Sequence, residues 1–229
     1  MTPGAARVPG SSRQRVGCRP DGVAVIVSVD GSARATTSAA SRDFPPDSDD
    51  QPLRVAMKKV ATALKGANVP FALSGGYASW ARGGPEPVHD VDFVLLADDV
   101  PHALQVLDAA GLQVVEPPED WLVKVYDGDA LVDLIFRPAE RPVTREQLDA
   151  ADEVRVDSVL MPVQSATDLL AAKLLVLNEH YCDFGRLFPH VRALREQVDW
   201  PALHGVVEHN PFARHFLALC DELGIAAAS

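Results

Sequence analysis

Leu73-Ser74-Gly75-Gly76-Tyr77-Ala78, followed after a short interval by His89-Asp90-Val91-Asp92-Phe93-Val94, decides how the rest of this sequence is read. Phe71-Ala72-Leu73 has the composition of a short strand, and it runs into a Gly-Gly turn that opens a brief helix over 77–82. A second strand is expected over 90–96. Residues two apart on a strand share a face, roughly 6.5–7 Å apart. Asp90 and Asp92 therefore present paired carboxylates, while Val91, Phe93 and Leu95 point to the core. His89, one residue off, points the other way if the strand has begun. Paired carboxylates suit Mg²⁺, a hard cation that takes one or two of them together with substrate phosphates and water. The glycine turn offers backbone N–H groups and close access to a phosphate.

A third acid extends the pattern. Strands over 122–126 and 131–136 flank Asp127-Gly128-Asp129, a strong hairpin signal. Within the second of them, Asp133 interrupts Leu131-Val132-Asp133-Leu134-Ile135-Phe136. A buried carboxylate needs a partner or a metal. If this strand lies beside the Asp90–Asp92 strand, three carboxylates converge, as two-metal phosphoryl transfer requires. Singly, each feature has an ordinary explanation: a Gly-Gly turn is a turn, an Asp-x-Asp a solvated strand end, and Asp133 the partner of an arginine. Together and in this order they point to a site.

The surrounding chain divides into three. Residues 1–52 are rich in Ser, Ala, Gly, Pro and Arg, carry six arginines and six aspartates, and are expected to be a disordered leader. The apolar stretch 23–29 is too short for a convincing secretion signal and could form a stray strand. Residues 53–162 read as a mixed α/β unit, beginning with a helix over 53–67 that carries Leu53, Met57, Val60 and Leu64 at helical spacing. Asp98-Asp99-Val100-Pro101 starts another helix that stops at Gly111. Beyond Met161-Pro162 only helices are expected: Ser165-Ala166-Thr167-Asp168 caps a helix over 169–180, and others follow over 183–197, 201–207 and 211–223. The fold class is thus α/β (α+β): a small mixed sheet with flanking helices, then a helical bundle over 163–229.

Lys173 breaks the apolar run Leu169-Leu170-Ala171-Ala172-Lys173-Leu174-Leu175, with His180 seven residues on along the same predicted helical face. A lysine there either snorkels from an apolar helix or contacts phosphate. His180 alone reads as structural.

Composition narrows the classes further. The 229 residues carry a net charge of −11, all of it outside the first 52. An acidic body disfavours sequence-blind nucleic-acid binding, though a local positive cleft can still take one RNA end. No apolar run approaches the roughly 20 residues of a membrane span. Cys18, Cys182 and Cys220 lack metal-ligand spacing and are odd in number, so a disulfide scaffold and a zinc ribbon are excluded and a reducing, cytoplasmic setting is expected.

The run 71–96, with its glycine turn, Asp-hydrophobic-Asp strand and later third Asp, resembles the nucleotidyltransferase superfamily. Ala172-Lys173-Leu174-Leu175, then His180 and Cys182-Asp183-Phe184, is similar to a Lys…Arg/His…Asp segment of the abortive-infection (AbiEii-like) and MenT-like nucleotidyltransferase toxins. The resemblance covers about 53–183. It implies transfer of a nucleoside monophosphate from an NTP to a hydroxyl, with two Mg²⁺ ions on Asp90, Asp92 and Asp133. It also implies phosphate contacts from Ser74, Gly75, Gly76 and Lys173, a nucleotide-site role for Asp183, and activation of the acceptor by Asp133. In the toxin branch the acceptor is often a tRNA 3′ end, and a cognate antitoxin protein is the expected partner. The alternatives are an antibiotic or other small-molecule acceptor, and a degenerate domain that binds only a nucleotide or partner. Two departures stand out. Glu86-Pro87-Val88-His89 replaces an Arg-Pro-Thr-x run, and the turn is Gly-Gly rather than Gly-Ser. For an RNA end, the cations available are Arg82, Lys173, Arg186, Arg192, Arg195 and Arg214.

Overall fold

The structure is a computed structural model that describes residues 51–87 and 90–226, with the backbone of two short strands nearer the N-terminus. Those strands, β1 (Gly17–Cys18) and β2 (Ala24–Val25), pair antiparallel. The expectations for the rest of the leader and for His89 lie outside the described residues.

The amphipathic helix α1 (Gln51–Gly66) buries Ala56, Met57, Val60, Ala61 and Leu64, close to the predicted stripe. It leads into β3 (Phe71–Ser74), α2 (Gly75–Ala81) and β4 (Val91–Leu95). A 3₁₀ turn at Ala97–Asp99 precedes α3 (Val100–Ala109), and the short edge strand β5 (Gln113–Val115) follows. The hairpin β6 (Leu122–Asp127) and β7 (Ala130–Ile135) turns at Gly128-Asp129. Then come α4 (Arg145–Asp149), β8 (Asp152–Val156) and β9 (Val159–Val163). The chain closes with α5 (Ala166–Leu175), α6 (Phe188–Leu194), α7 (Trp200–Val207) and α8 (Pro211–Glu222).

Seven strands form one mixed sheet in the order β5-β6-β7-β4-β3-β9-β8. One core cluster joins α1 to Val91, Phe93, Leu95, Val132 and Leu134, the residues that alternate with the acids on β4 and β7. That burial sets the register, because a one-residue slip would turn the acids into the core. A second cluster holds α5–α8 together around Leu170, Leu174, Trp200, Phe216 and Cys220. Among the described residues Cys182 is exposed and Cys220 buried, both as free thiols. No helix among them is long and apolar enough to cross a membrane.

Several expectations are corrected. The α/β unit before 162 also holds a β8–β9 hairpin that the sequence reading did not single out; its turn residues Asp157 and Ser158 both have positive φ (43° and 73°). Such turns usually carry Asn-Gly, so the sequence lacks the usual signal. Here α1 supplies the stabilisation: Arg54 donates to Asp157 Oδ1 at 2.8 Å, and Lys58 Nζ lies 2.9 Å from Oδ2. Burial would raise the Asp157 carboxyl, but those two cations hold it below the ordinary carboxylate range. Ser158→Gly is expected to raise stability by about 1 kcal/mol, because it removes the left-handed strain of an exposed residue; urea unfolding midpoints check this. The Ser165 helix is also shorter than expected. Ser165 Oγ accepts from the Asp168 N–H at 3.0 Å and starts α5, which ends at Leu175 rather than 180. The expected 183–197 helix is a 3₁₀ turn (Phe184–Arg186), α6 and a second 3₁₀ turn (Arg195–Gln197). Pro189 falls in the first turn of α6, where proline is tolerated.

Candidate active site

β4 and β7 run parallel with Asp92 directly opposite Asp133. Asp90 lies just before β4, so one carboxylate oxygen from each of Asp90, Asp92 and Asp133 falls within 4.8 Å of the others. This cluster is consistent with a divalent cation. The donors are all hard carboxylate oxygens, and they repel one another unless a cation is shared. Burial pushes the Asp92 carboxyl up to about 7, with the charges of Asp90 and Asp133 adding to it. Burial raises Asp133 as well, against the opposing charge of Lys124.

The glycine turn meets this cluster. Gly75 has φ +60°, and a Cβ placed on it would lie 1.7 Å from Asp92 Oδ2. Only glycine satisfies both the backbone and the close approach of the acid. Gly76 is less constrained, its Cβ direction meeting Pro87 Cβ at 3.1 Å. Ser74 is the N-cap residue of α2 but makes no side-chain cap. Its hydroxyl donates instead to Gln164 Oε1 at 2.5 Å, and both side chains are buried. The Ser74 side chain therefore does not cap the start of α2.

Lys173, on α5, lines a cavity of about 210 Å³ together with Ser74, Gly75, Asp92 and Gln164. Burial lowers its ammonium pKa, and the carboxylates of Asp92 and Asp90 oppose that shift. Among the described residues no ion pair within 4.0 Å holds it, so this is a cation near the acids rather than a partner of one. A second cavity of about 360 Å³ adjoins the first through Pro138, Gln164 and Ala172. Its wall includes Ala139, left-handed at φ 49°, followed by Glu140 at φ 60°.

One expectation fails here, and Asp183 lies apart from the cavity. His180 does not share a helical face with Lys173, because α5 has ended; it is exposed beside Glu179 at 3.2 Å. Asp183 is exposed at the start of the Phe184–Arg186 turn and does not line the cavity. Three other residues were missed. Lys124 Nζ lies 3.3 Å from Asp133 Oδ1. The two-residue hairpin turn could have revealed it, since pairing Asp127 with Ala130 puts Lys124 opposite Asp133. Gln164 and His190 carried no local signal. His190 Nδ1 lies 2.7 Å from Ser79 Oγ, tying α6 to α2. Burial, with Lys173 adding, pushes its pKa down to about 4, so the ring is neutral.

The fold matches solved structures even though the sequence does not match known families. ANT(2″)-Ia in complex with adenylyl-2″-tobramycin aligns over 72% of this chain and 97% of its own, at 15% identity and a TM-score of 0.53. The chain thus has a nucleotidyltransferase-like fold. The lincosamide antibiotic adenylyltransferase LnuA, lincomycin-bound, aligns over 63% of this chain and 96% of its own, at 13% identity and a TM-score of 0.44. A tRNA-processing enzyme aligns over 81% of this chain and 50% of its own, at 15% identity and a TM-score of 0.38. No protein-family model matches the sequence, and no curated protein does. Within this fold the acid cluster lies on neighbouring strands and the glycine turn opens the helix beside them.

Proposed function

We propose that the protein is a Mg²⁺-dependent nucleotidyltransferase that moves a nucleoside monophosphate from an NTP to an acceptor hydroxyl. The observation carrying this reading is the convergence of Asp90, Asp92 and Asp133 beside the positive-φ turn at Gly75. Bound divalent metal at the acid cluster would supply charge neutralisation for the triphosphate. The chain's own groups do the rest. The Gly75-Gly76 turn and the ammonium of Lys173 bind phosphate oxygens, orient the triphosphate and offset its charge. Asp133 accepts the proton of the acceptor hydroxyl as its oxygen bonds to the α-phosphorus and pyrophosphate leaves. The two adjoining cavities give room for the substrates beside these groups.

For the acceptor, a specific observation moves the reading from an RNA end toward a small hydroxylated molecule. Arg82, counted above among the cations for RNA, is spent internally: it donates to the Gln164 carbonyl at 2.5 Å and to that of Val163 at 2.9 Å, and pairs with Asp152 at 2.8 Å. Arg195 pairs with Glu196, and Arg192 stacks on Phe188. The tRNA acceptor, the toxin role and the antitoxin rest on the resemblance at 172–184, which Asp183, outside the cavity, weakens. Transfer of α-³²P label from each NTP, with tRNA, an aminoglycoside or no acceptor, tests both levels. Label on RNA would restore the tRNA reading if it came with a salt slope shallower than about −4. No transfer from any NTP would favour the binding-only alternative.

Lys173→Ala is expected to lower kcat/KM by about 10- to 100-fold while leaving the melting temperature unchanged, since the ammonium is desolvated and no ion pair among the described residues holds it. A snorkelling lysine would behave the opposite way, losing stability and keeping activity.

A further inference from the structure

Among the described residues, Lys124 is the cation in direct ion-pair contact with the acid cluster. Its ammonium lies 3.3 Å from Asp133 Oδ1, and backbone register keeps it there, because β6 and β7 set Lys124 and Asp133 directly opposite each other. Side chains so paired have Cβ atoms about 4.5–5.5 Å apart, so a lysine cannot move far from its partner acid. Asp133 is buried, and the Lys124 side chain is 29% exposed, which limits screening of the pair. Asp90 and Asp92 have no such partner: no ion pair within 4.0 Å reaches either of them among the described residues. The three acids are therefore chemically unequal. A divalent ion on Asp133 Oδ1 would have to displace the ammonium or sit beside it at repulsive range.

We propose that Lys124 is a positioning residue that reserves Asp133 from the metal, so that the nucleotide-free protein takes one divalent ion on Asp90 and Asp92 alone. Lys124 then occupies Oδ1 of Asp133, with Oδ2 left to accept the hydrogen of the acceptor hydroxyl. This rests on the nucleotidyltransferase reading and assigns unequal roles within its acid cluster. It departs from the two-ion expectation for the resting protein.

The test is Mn²⁺ binding to the full chain without nucleotide, read by the electron paramagnetic resonance signal of free Mn²⁺. The wild type is expected to bind one ion, and Asp92→Asn to weaken it by more than about tenfold. Asp133→Asn should change the affinity by less than about threefold in the wild-type background, yet weaken it by about tenfold or more in a Lys124→Met background. Lys124→Gln serves as the background if Lys124→Met is unstable. Two bound ions in the wild type would overturn the proposal. So would a wild-type Asp133→Asn effect as large as that in the Lys124 variant, or no Asp133→Asn effect in that variant. If Mn²⁺ does not bind, or Asp92→Asn leaves binding unchanged, the metal site itself is wrong, which is a separate failure.

Discussion

Asp92→Ala is expected to abolish nucleotidyl transfer while leaving the metal-free protein as stable as the wild type, or more so, above neutral pH. The loss should exceed the roughly 10- to 100-fold typical of a group that only supports a metal ligand. The stability half follows from the carboxyl's environment. Burial and the charges of Asp90 and Asp133 push its pKa up to about 7, from 3.8 in an unfolded chain. A folded-state pKa above the unfolded value contributes stability that is fully present below about pH 4 and is lost as pH rises through about 7. At pH 8 in EDTA, the wild type therefore carries a penalty that Asp92→Ala removes. Melting temperatures at pH 5.5 and 8 should show the wild type falling relative to the variant as pH rises. Near-normal transfer by Asp92→Ala with Mg²⁺ present would refute the site.

Gly75→Ala is the second large effect, and it should cost both stability and activity. Its Cβ would lie 1.7 Å from Asp92 Oδ2 on a backbone at φ +60°. Left-handed strain alone costs about 1–2 kcal/mol. The steric conflict must then be relieved by moving either the turn or the acid. Gly76→Ala is the comparison: its Cβ would meet Pro87, at 3.1 Å from Cβ and 3.6 Å from Cα, rather than an acid. A Gly75→Ala protein with wild-type melting temperature and turnover would show that the turn and Asp92 are not tightly coupled. Chemical denaturation of the two variants side by side, with transfer assays, makes the comparison.

Much of this was legible before any coordinates, and the reason is local. The order strand, glycine turn, helix, acid-bearing strand is written in consecutive residues, and alternation on β4 and β7 separates the acids from Val91, Phe93, Val132 and Leu134. The Gly128 hairpin was likewise visible. The β8–β9 hairpin was not, since its turn has neither Gly nor Asn and is stabilised by Arg54 and Lys58 from about a hundred residues earlier. The end of α5 was missed because an apolar run marks where a helix can form, not where tertiary contacts stop it. Asn210, whose amide donates to the carbonyls of Leu175 and Leu177, satisfies the groups freed at that end.

By itself, then, the sequence determined which residues could carry the chemistry: Asp90, Asp92 and Asp133 as acids on apolar strands, Gly75 as the turn, and Lys173 as an ammonium in an apolar helix. Periodicity and backbone conformation are properties of neighbours along the chain, so they can be read there. Only the tertiary structure decided how those groups are partnered. It placed Lys124 on Asp133, turned Ser74 toward Gln164, spent Arg82 on the carbonyls of Val163 and Gln164, and buried Lys173 near Asp92 and Asp90. Charge and hydrogen-bond partners depend on distances through space between residues far apart in sequence. Those distances arise only when the seven strands and the helices packed with them close around their apolar clusters.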